Sequence, residues 1–252
     1  MRKVLCLTAV ALALTAASAA RADDKADTRA VIDKAIQATG GEEKLAKIKA
    51  MHFKGKGKFY GMGEGIDYTG EWNIQPPEKF RVQINFEINA MKITFVMVFD
   101  GKKGWRKINE DTTELNEDEV AEGKEDQYAG QVEMLIPLIK DKGFELSPLG
   151  ESKVGDKAAV GVRVVHKGHR DINLFFDKKT GLLLKSERTI KDQQMGGKER
   201  MQETLHSDYK EIGGIQHPMK VLIKRDGEKY VEGEATDFET KDQTDDSVFV
   251  KP

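Results

Sequence analysis

Few residues of this chain have the types and spacing that bond-making chemistry needs. His166 and His169 stand three apart across Val165-His166-Lys167-Gly168-His169. Two imidazoles could begin a metal site, but such a site takes three or four ligands. Gly168 also puts the pair in a turn, where exposed polar histidines are ordinary. Asp245-Asp246 and Glu42-Glu43 are adjacent in sequence, so their carboxylates need not converge. They read as solvated surface, with Glu42 and Glu43 well placed near a helix start. The chain holds no G-x-S-x-G elbow, no H-E-x-x-H, no glycine-rich phosphate loop and no Cys–His pair. The expectation is a protein that is not an enzyme and takes no metal and no cofactor.

Non-covalent binding is the chemistry with a clear pattern. Phe80, Val82, Ile84, Phe86 and Ile88 alternate with Arg81, Gln83, Asn85, Glu87 and Asn89, and the pattern resumes at Met91, Ile93, Phe95, Met97 and Phe99. Period-two alternation gathers one set of side chains on one face of a sheet. That face is aromatic, branched aliphatic or thioether throughout, and Met91 and Met97 suit a surface that fits flexible chains. Phe80, Val82, Ile84, Phe86, Met91, Ile93, Phe95, Met97 and Phe99 are therefore the expected lining of an apolar ligand cavity. Phe and Met on a sheet face also make plain core. Gly55 and Gly57, on the face shared by Met51, Phe53 and Phe59, leave room for a close approach to the backbone. Lys54, Lys56 and Lys58 form a basic stripe on the other face. It is either a solubilising surface or a contact for anionic headgroups.

The elements that position these residues follow from periodicity and turn chemistry. Helices are predicted at 26–39 and 42–48, the first ended by Gly40-Gly41. Strands are predicted at about 50–60, 66–75, 79–88, 91–99 and 104–108, then at about 143–149, 157–167, 170–177, 182–191, 198–211, 215–225 and 228–240. Residues 117–140 resemble a helix, with Tyr128, Val132, Leu135, Ile136 and Ile139 at helical spacing. Pro137 should kink or end it. The apolar residues of its second half, Val132, Leu135, Ile136 and Ile139, are the expected lid. The acidic segment 109–126 is the candidate mobile loop. Tight reversals at 177–181, 196–197, 213–214 and 226–227 imply an antiparallel meander. So many long strands curl into a barrel or half-barrel, with a two-layer sandwich as the alternative.

Arg2-Lys3, the apolar run Val4 to Ala17 and Ala20-Arg21-Ala22 read as a secretory signal peptide over 1–22, cleaved near Ala22. The run is too short to span a membrane. Cys6 leaves with it, so residues 23–252 form one domain without disulfide or thiol chemistry. Removing Arg2, Lys3 and Arg21 moves the net charge from −2 to −5. That balance points away from nucleic acid. Charged residues make up 33% of the chain and are interspersed, as on a hydrated surface. A periplasmic or secreted monomer is expected.

A family resemblance rests on Pro76-Pro77-x-x-Phe80-Arg81 and Phe99-Asp100-Gly101-Lys102-x-Gly104-Trp105. Phe176-Asp177-Lys178-Lys179-Thr180-Gly181-Leu182 and Asp246-Ser247-Val248-Phe249-x-x-Pro252 add to it. Together with the N-terminal helix and the long strands, these resemble the LolA-like outer-membrane lipoprotein-sorting superfamily of lipoprotein carriers. Its carriers tether a lid by an arginine on an early strand, where residues 54–58 supply only lysines. The resemblance implies an α+β fold, mostly antiparallel β: an incomplete barrel, or half-barrel, with helices packed on the concave side. It implies binding of a lipid or a lipidated protein, with transient membrane contact. An envelope sensor on the same fold, or a structural envelope protein with a closed core, are the other readings.

Overall fold

The computed structural model describes residues 27–252. The expected signal segment and its cleavage point lie outside the described residues. The first run of strands is β1 (Ala50–Phe59), β2 (Ile66–Gln75), β3 (Lys79–Ile88), β4 (Met91–Asp100), β5 (Gly104–Ile108) and β6 (Asp111–Glu114). The second is β7 (Phe144–Val154), β8 (Lys157–His166), β9 (Ile172–Asp177), β10 (Leu183–Asp192), β11 (Lys198–Ile212), β12 (Ile215–Arg225) and β13 (Glu228–Lys241). Helix α1 covers residues 27–39 and α2 is Glu42–Leu45. Helices α3 (Glu117–Glu133) and α4 (Ile136–Lys140) separate the two runs.

All thirteen strands belong to one sheet, in the order β6-β5-β4-β3-β2-β1-β13-β12-β11-β10-β9-β8-β7. Each run is a meander, because short turns can only join antiparallel neighbours. The first strand pairs with the last, from Ala50↔Lys241 to Phe59↔Val231, and this seam fuses the two meanders. The sheet stays open, with β6 and β7 at its edges, so the two-layer sandwich is excluded and the architecture is an incomplete barrel with helices. Gly213-Gly214 and Asp226-Gly227 have positive φ at both positions. This is the geometry of two-residue hairpins, and glycine adopts it without steric cost.

The acidic segment 109–126 is ordered secondary structure, which corrects the mobile-loop expectation. Asp111–Glu114 pairs with β5. Asn116 Oδ1 then accepts from the Glu119 backbone N–H at 3.0 Å, and Glu119 Oε2 accepts from the Asn116 N–H at 2.9 Å. This reciprocal cap satisfies two helix-end donors at once. Glu117, Asp118 and Glu119 fill the first turn, where carboxylates oppose the positive end of the helix dipole. The predicted helix over 117–140 is two helices. Leu135 breaks it with φ of 64°, and Pro137 falls in the first turn of α4, where a missing N–H costs nothing.

The main core lies between the helices and one arm of the sheet. Ile32, Ala35 and Ile36 of α1, Leu45 of α2, and Val132, Leu135 and Leu138 pack with Val162, Val164, Ile172, Leu174 and Phe176 of β8 and β9. On the opposite face, Val96, Val98 and Trp105 bury Phe249 of the C-terminal turn.

Candidate functional site

The apolar alternation of β3 and β4 becomes one continuous surface through strand register. Phe80 opposes Phe99, Val82 opposes Met97, Ile84 opposes Phe95, Phe86 opposes Ile93 and Ile88 opposes Met91. Directly opposed residues share a face, and Lys92 and Thr94, opposite Glu87 and Asn85, share the other. The apolar surface extends onto β2 through Tyr68, Trp72 and Ile74. It reaches β1 and β13 through Phe53, Phe59, Phe238 and Val231. On β5 it meets Ile108 and Arg106. This is the face that carries the helices. Arg106 Nη1 donates to Glu119 Oε1 of α3 at 2.9 Å, and Met51, Ile74 and Phe238 join the helix core.

Cover over this surface is partial. Phe80, Val82, Ile84, Phe86, Ile93, Phe95 and Met97 are each half-buried. Met91, at the hairpin tip, is 61% exposed, and Ile108 is 46% exposed. Phe99 differs from its neighbours. It is fully buried, stacked on Phe80 at 6.0 Å between ring centroids, and is core rather than cavity lining.

The expected lid residues lie elsewhere. Val132 and Leu135 are in the main core, with Ile136 and Ile139 packed on it, among the apolar side chains of β8 and β9. They plug the other arm of the sheet, because their helical stripe matches the apolar faces of β8 and β9. The part of α3 nearest β5 is its polar first turn, held by Glu119. The room at Gly55 and Gly57 is also taken by protein. A Cβ on Gly55 would sit 2.9 Å from the Glu234 carbonyl oxygen and 3.3 Å from the Trp72 ring, and one on Gly57 would collide with the Glu232 carbonyl oxygen and sit 2.9 Å from the Tyr68 hydroxyl. Trp72 stacks on Phe53, its partner on β1, at 4.9 Å. Burial pushes the Tyr68 phenol up to about 12, so it stays protonated at neutral pH. Sequence reasoning missed Tyr68 and Trp72 as part of the surface, although Tyr68 lies opposite Gly57 and Trp72 opposite Phe53.

No family model matches the chain, and no curated protein matches it. Solved structures do. A LolA superfamily protein of Nitrosomonas europaea aligns with a TM-score of 0.54 at 10% identity, covering 89% of this chain and 97% of that one. A DUF1329 family protein of Desulfovibrio piger aligns with a TM-score of 0.55 at 11% identity, covering 88% and 97%. A domain named as an outer membrane lipoprotein-sorting protein from Vibrio parahaemolyticus aligns with a TM-score of 0.52 at 10% identity, covering 82% and 93%. The fold is LolA-like.

Two hollows of this LolA-like sheet adjoin the apolar surface, and the larger takes in its Tyr68, Phe86 and Ile93. The larger is a cleft of 1160 Å³ crossing the strands near Gly57 and Gly233. No residue of the four helices lines it, and most of its charged lining belongs to the alternation set opposite the apolar one. Its five lysines, Lys56 and Lys58 among them, are matched by five carboxylates, so the cleft has no bias toward an anion. Lys58 is itself paired with Asp67 at 2.8 Å.

The smaller hollow is a chamber of 140 Å³ between the helices and β11–β12, lined by Glu133, His206, Tyr209 and His217. His206 and His217 are buried, and neither ring nitrogen of His206 has a hydrogen-bond partner. Burial lowers the His206 pKa against a partial opposing pull from Glu133. Burial alone lowers that of His217 to about 4. Both imidazoles are therefore neutral at pH 7.

The histidine pair noted in the sequence is structural. His169 stacks on Tyr128 at 3.8 Å and bonds Glu125 through Nδ1 at 2.8 Å, while His166 packs on Phe144 at 4.5 Å. Arg170 adds bonds to Glu122 and Glu125, so this turn clamps α3 to the sheet. Among the described residues, no group of three or more ligating side chains could hold a metal ion. No helix among them is long and apolar enough to cross a membrane.

Proposed function

We propose that this chain is a cell-envelope carrier that shields acyl chains of a lipid or lipidated protein, non-covalently, on the apolar surface of β2–β5. The observation that carries the reading is the half-buried state of seven adjacent apolar side chains on the helix-bearing face. They are withdrawn from bulk water but lack the close cover of a core. Each methylene moved there from water contributes about 0.8 kcal/mol, so a short stretch of chain gives useful affinity. The arginine on this face among the described residues, Arg106, is held by Glu119 and is not free for an anionic group. Release needs an acceptor with higher affinity, because only differential affinity gives direction. The likeness to a LolA superfamily protein and to a lipoprotein-sorting domain agrees with this reading.

A titration with a fluorescent acyl probe tests it. Wild-type protein should bind saturably. Phe95→Glu, which puts an unpaired charge on the apolar face, should abolish binding. Lys56→Glu, on the opposite face, should leave it nearly unchanged. Circular dichroism checks that both variants fold. Folded wild-type protein without saturable binding to chains of any length would overturn the carrier reading. The helix-free cleft near Gly57 then favours the second reading, an envelope sensor that docks a protein partner there.

A further inference from the structure

Seven large apolar side chains are strongly exposed among the described residues, and five of them stand at one end of the sheet. These are Met62 (71%), Met91 (61%), Met195 (53%), Ile108 (46%) and Met201 (45%). Antiparallel topology puts the turns at 60–65, 89–90, 109–110, 193–197 and 226–227 at that same end. Contacts tie them together. The Tyr60 N–H donates to the Tyr230 carbonyl at 2.9 Å, and the Asn109 N–H donates to the Thr94 carbonyl at 2.9 Å. The Tyr230 hydroxyl donates to Gln194 Oε1 at 3.4 Å, and the Met201 N–H donates to Asp226 Oδ1 at 2.9 Å.

Several charges beside these tips are paired. Lys58 pairs with Asp67 at 2.8 Å, Lys229 with Glu232 at 2.5 Å, and Arg200 with Asp226 at 2.8 Å. The tips therefore carry apolar side chains among charges of both signs rather than on a one-sign patch. They are also continuous with the acyl-binding surface, through Phe59 packed edge-on against Tyr230 at 5.2 Å.

We propose that this end of the sheet is a membrane-docking rim, whose methionines enter the interfacial layer of a lipid bilayer by apolar partitioning rather than by charge. Single flexible side chains on separate turn tips suit a fluid surface. A protein partner needs a continuous, complementary patch of roughly 800 Å² on each side. An apolar side chain lowers its free energy by leaving water for the headgroup–acyl boundary. The purpose of docking there, loading or unloading chains, rests on the carrier reading, but the rim itself does not.

Flotation with zwitterionic phosphatidylcholine vesicles tests the rim, at low and high salt and without added ligand. Wild-type protein should float with the vesicles equally in both. Met62→Ser/Met195→Ser/Met201→Ser should weaken partitioning by at least about tenfold, while its binding of the acyl probe stays within about twofold. All three positions are exposed, so the variant should fold. Wild-type protein that does not float, a triple variant that floats like wild type, or binding confined to anionic vesicles and abolished by salt would each overturn the proposal. In wild-type protein, absent flotation with saturable probe binding sinks the rim alone, whereas absent probe binding with flotation sinks the carrier reading alone.

Discussion

The two arms of the sheet carry similar apolar alternations and meet different fates. On β8 and β9, Val162, Val164, Ile172 and Leu174 are no more than 1% exposed, because α1, α3 and α4 lie directly on them. On β3 and β4, Val82, Ile84, Ile93 and Phe95 are only half-buried, and no residue of either strand joins that helix core. Alternation decides which face is apolar. The position of the helices decides whether that face becomes core or remains a binding surface. The difference is sharpest within one strand of the first arm, where Phe99 is sealed and Met91 is open.

The widest gap between the arms should appear in stability. Leu174→Ala removes a side chain with no exposure and should cost about 2–5 kcal/mol, from lost transfer energy and the cavity left behind. Ile84→Ala, on the half-covered arm, should cost clearly less, because water already reaches the site and little cavity forms. Urea unfolding of both variants measures this. Equal losses would mean that the β3–β4 surface is core, and the carrier reading would lose its main support.

Acid should weaken the covered arm next. His206 and His217 lie beneath the helices with pKa values held down by burial. An unfolded histidine takes a proton near pH 6.5. Folding refuses that proton, so the neutral imidazoles contribute stability that is complete above about pH 6.5. For His217 it is lost progressively as pH falls toward about 4, where the folded form protonates too. The loss is on the order of 3 kcal/mol for His217, with His206 adding in the same direction. Thermal unfolding between pH 7 and pH 4.5 should show a fall that His217→Gln reduces. An unchanged pH profile in that variant would assign the acid sensitivity to other groups.

Strand positions were largely legible in the sequence, because alternation and glycine turns are local signals. The pairings from Phe80↔Phe99 to Ile88↔Met91 follow from them directly. The fate of Val132 and Leu135 was not legible. A helical apolar stripe shows that a helix will bury one side but not which strands it will meet, and that depends on contacts distant in sequence. The two glycines of β1 misled for a similar reason. They announce a close approach, and only the register shows that the Glu234 and Glu232 carbonyls of β13 make it, with Trp72 and Tyr68 packed beside them. β6 was hidden by its acidic composition. Its strand state comes from pairing with β5 rather than from propensity.

The smallest expected effect concerns the helix that divides the arms. Glu119 serves two partners at once: Oε2 closes the cap on the Asn116 N–H, and Oε1 receives Arg106 from the apolar face. The cap therefore fixes the start of α3 relative to β5, on the side where cover is thin. Asn116→Ala removes the acceptor for the Glu119 N–H and should cost about 1 kcal/mol. The far end of α3 is held independently, by Glu133 bonded to the Ser186 hydroxyl and by Val132 in the core. Hydrogen exchange in Asn116→Ala should therefore quicken over the first turn of α3 and leave residues 128–133 unchanged. If exchange quickens along the whole helix, α3 moves as one piece, and the open arm can be uncovered only by disturbing the covered one.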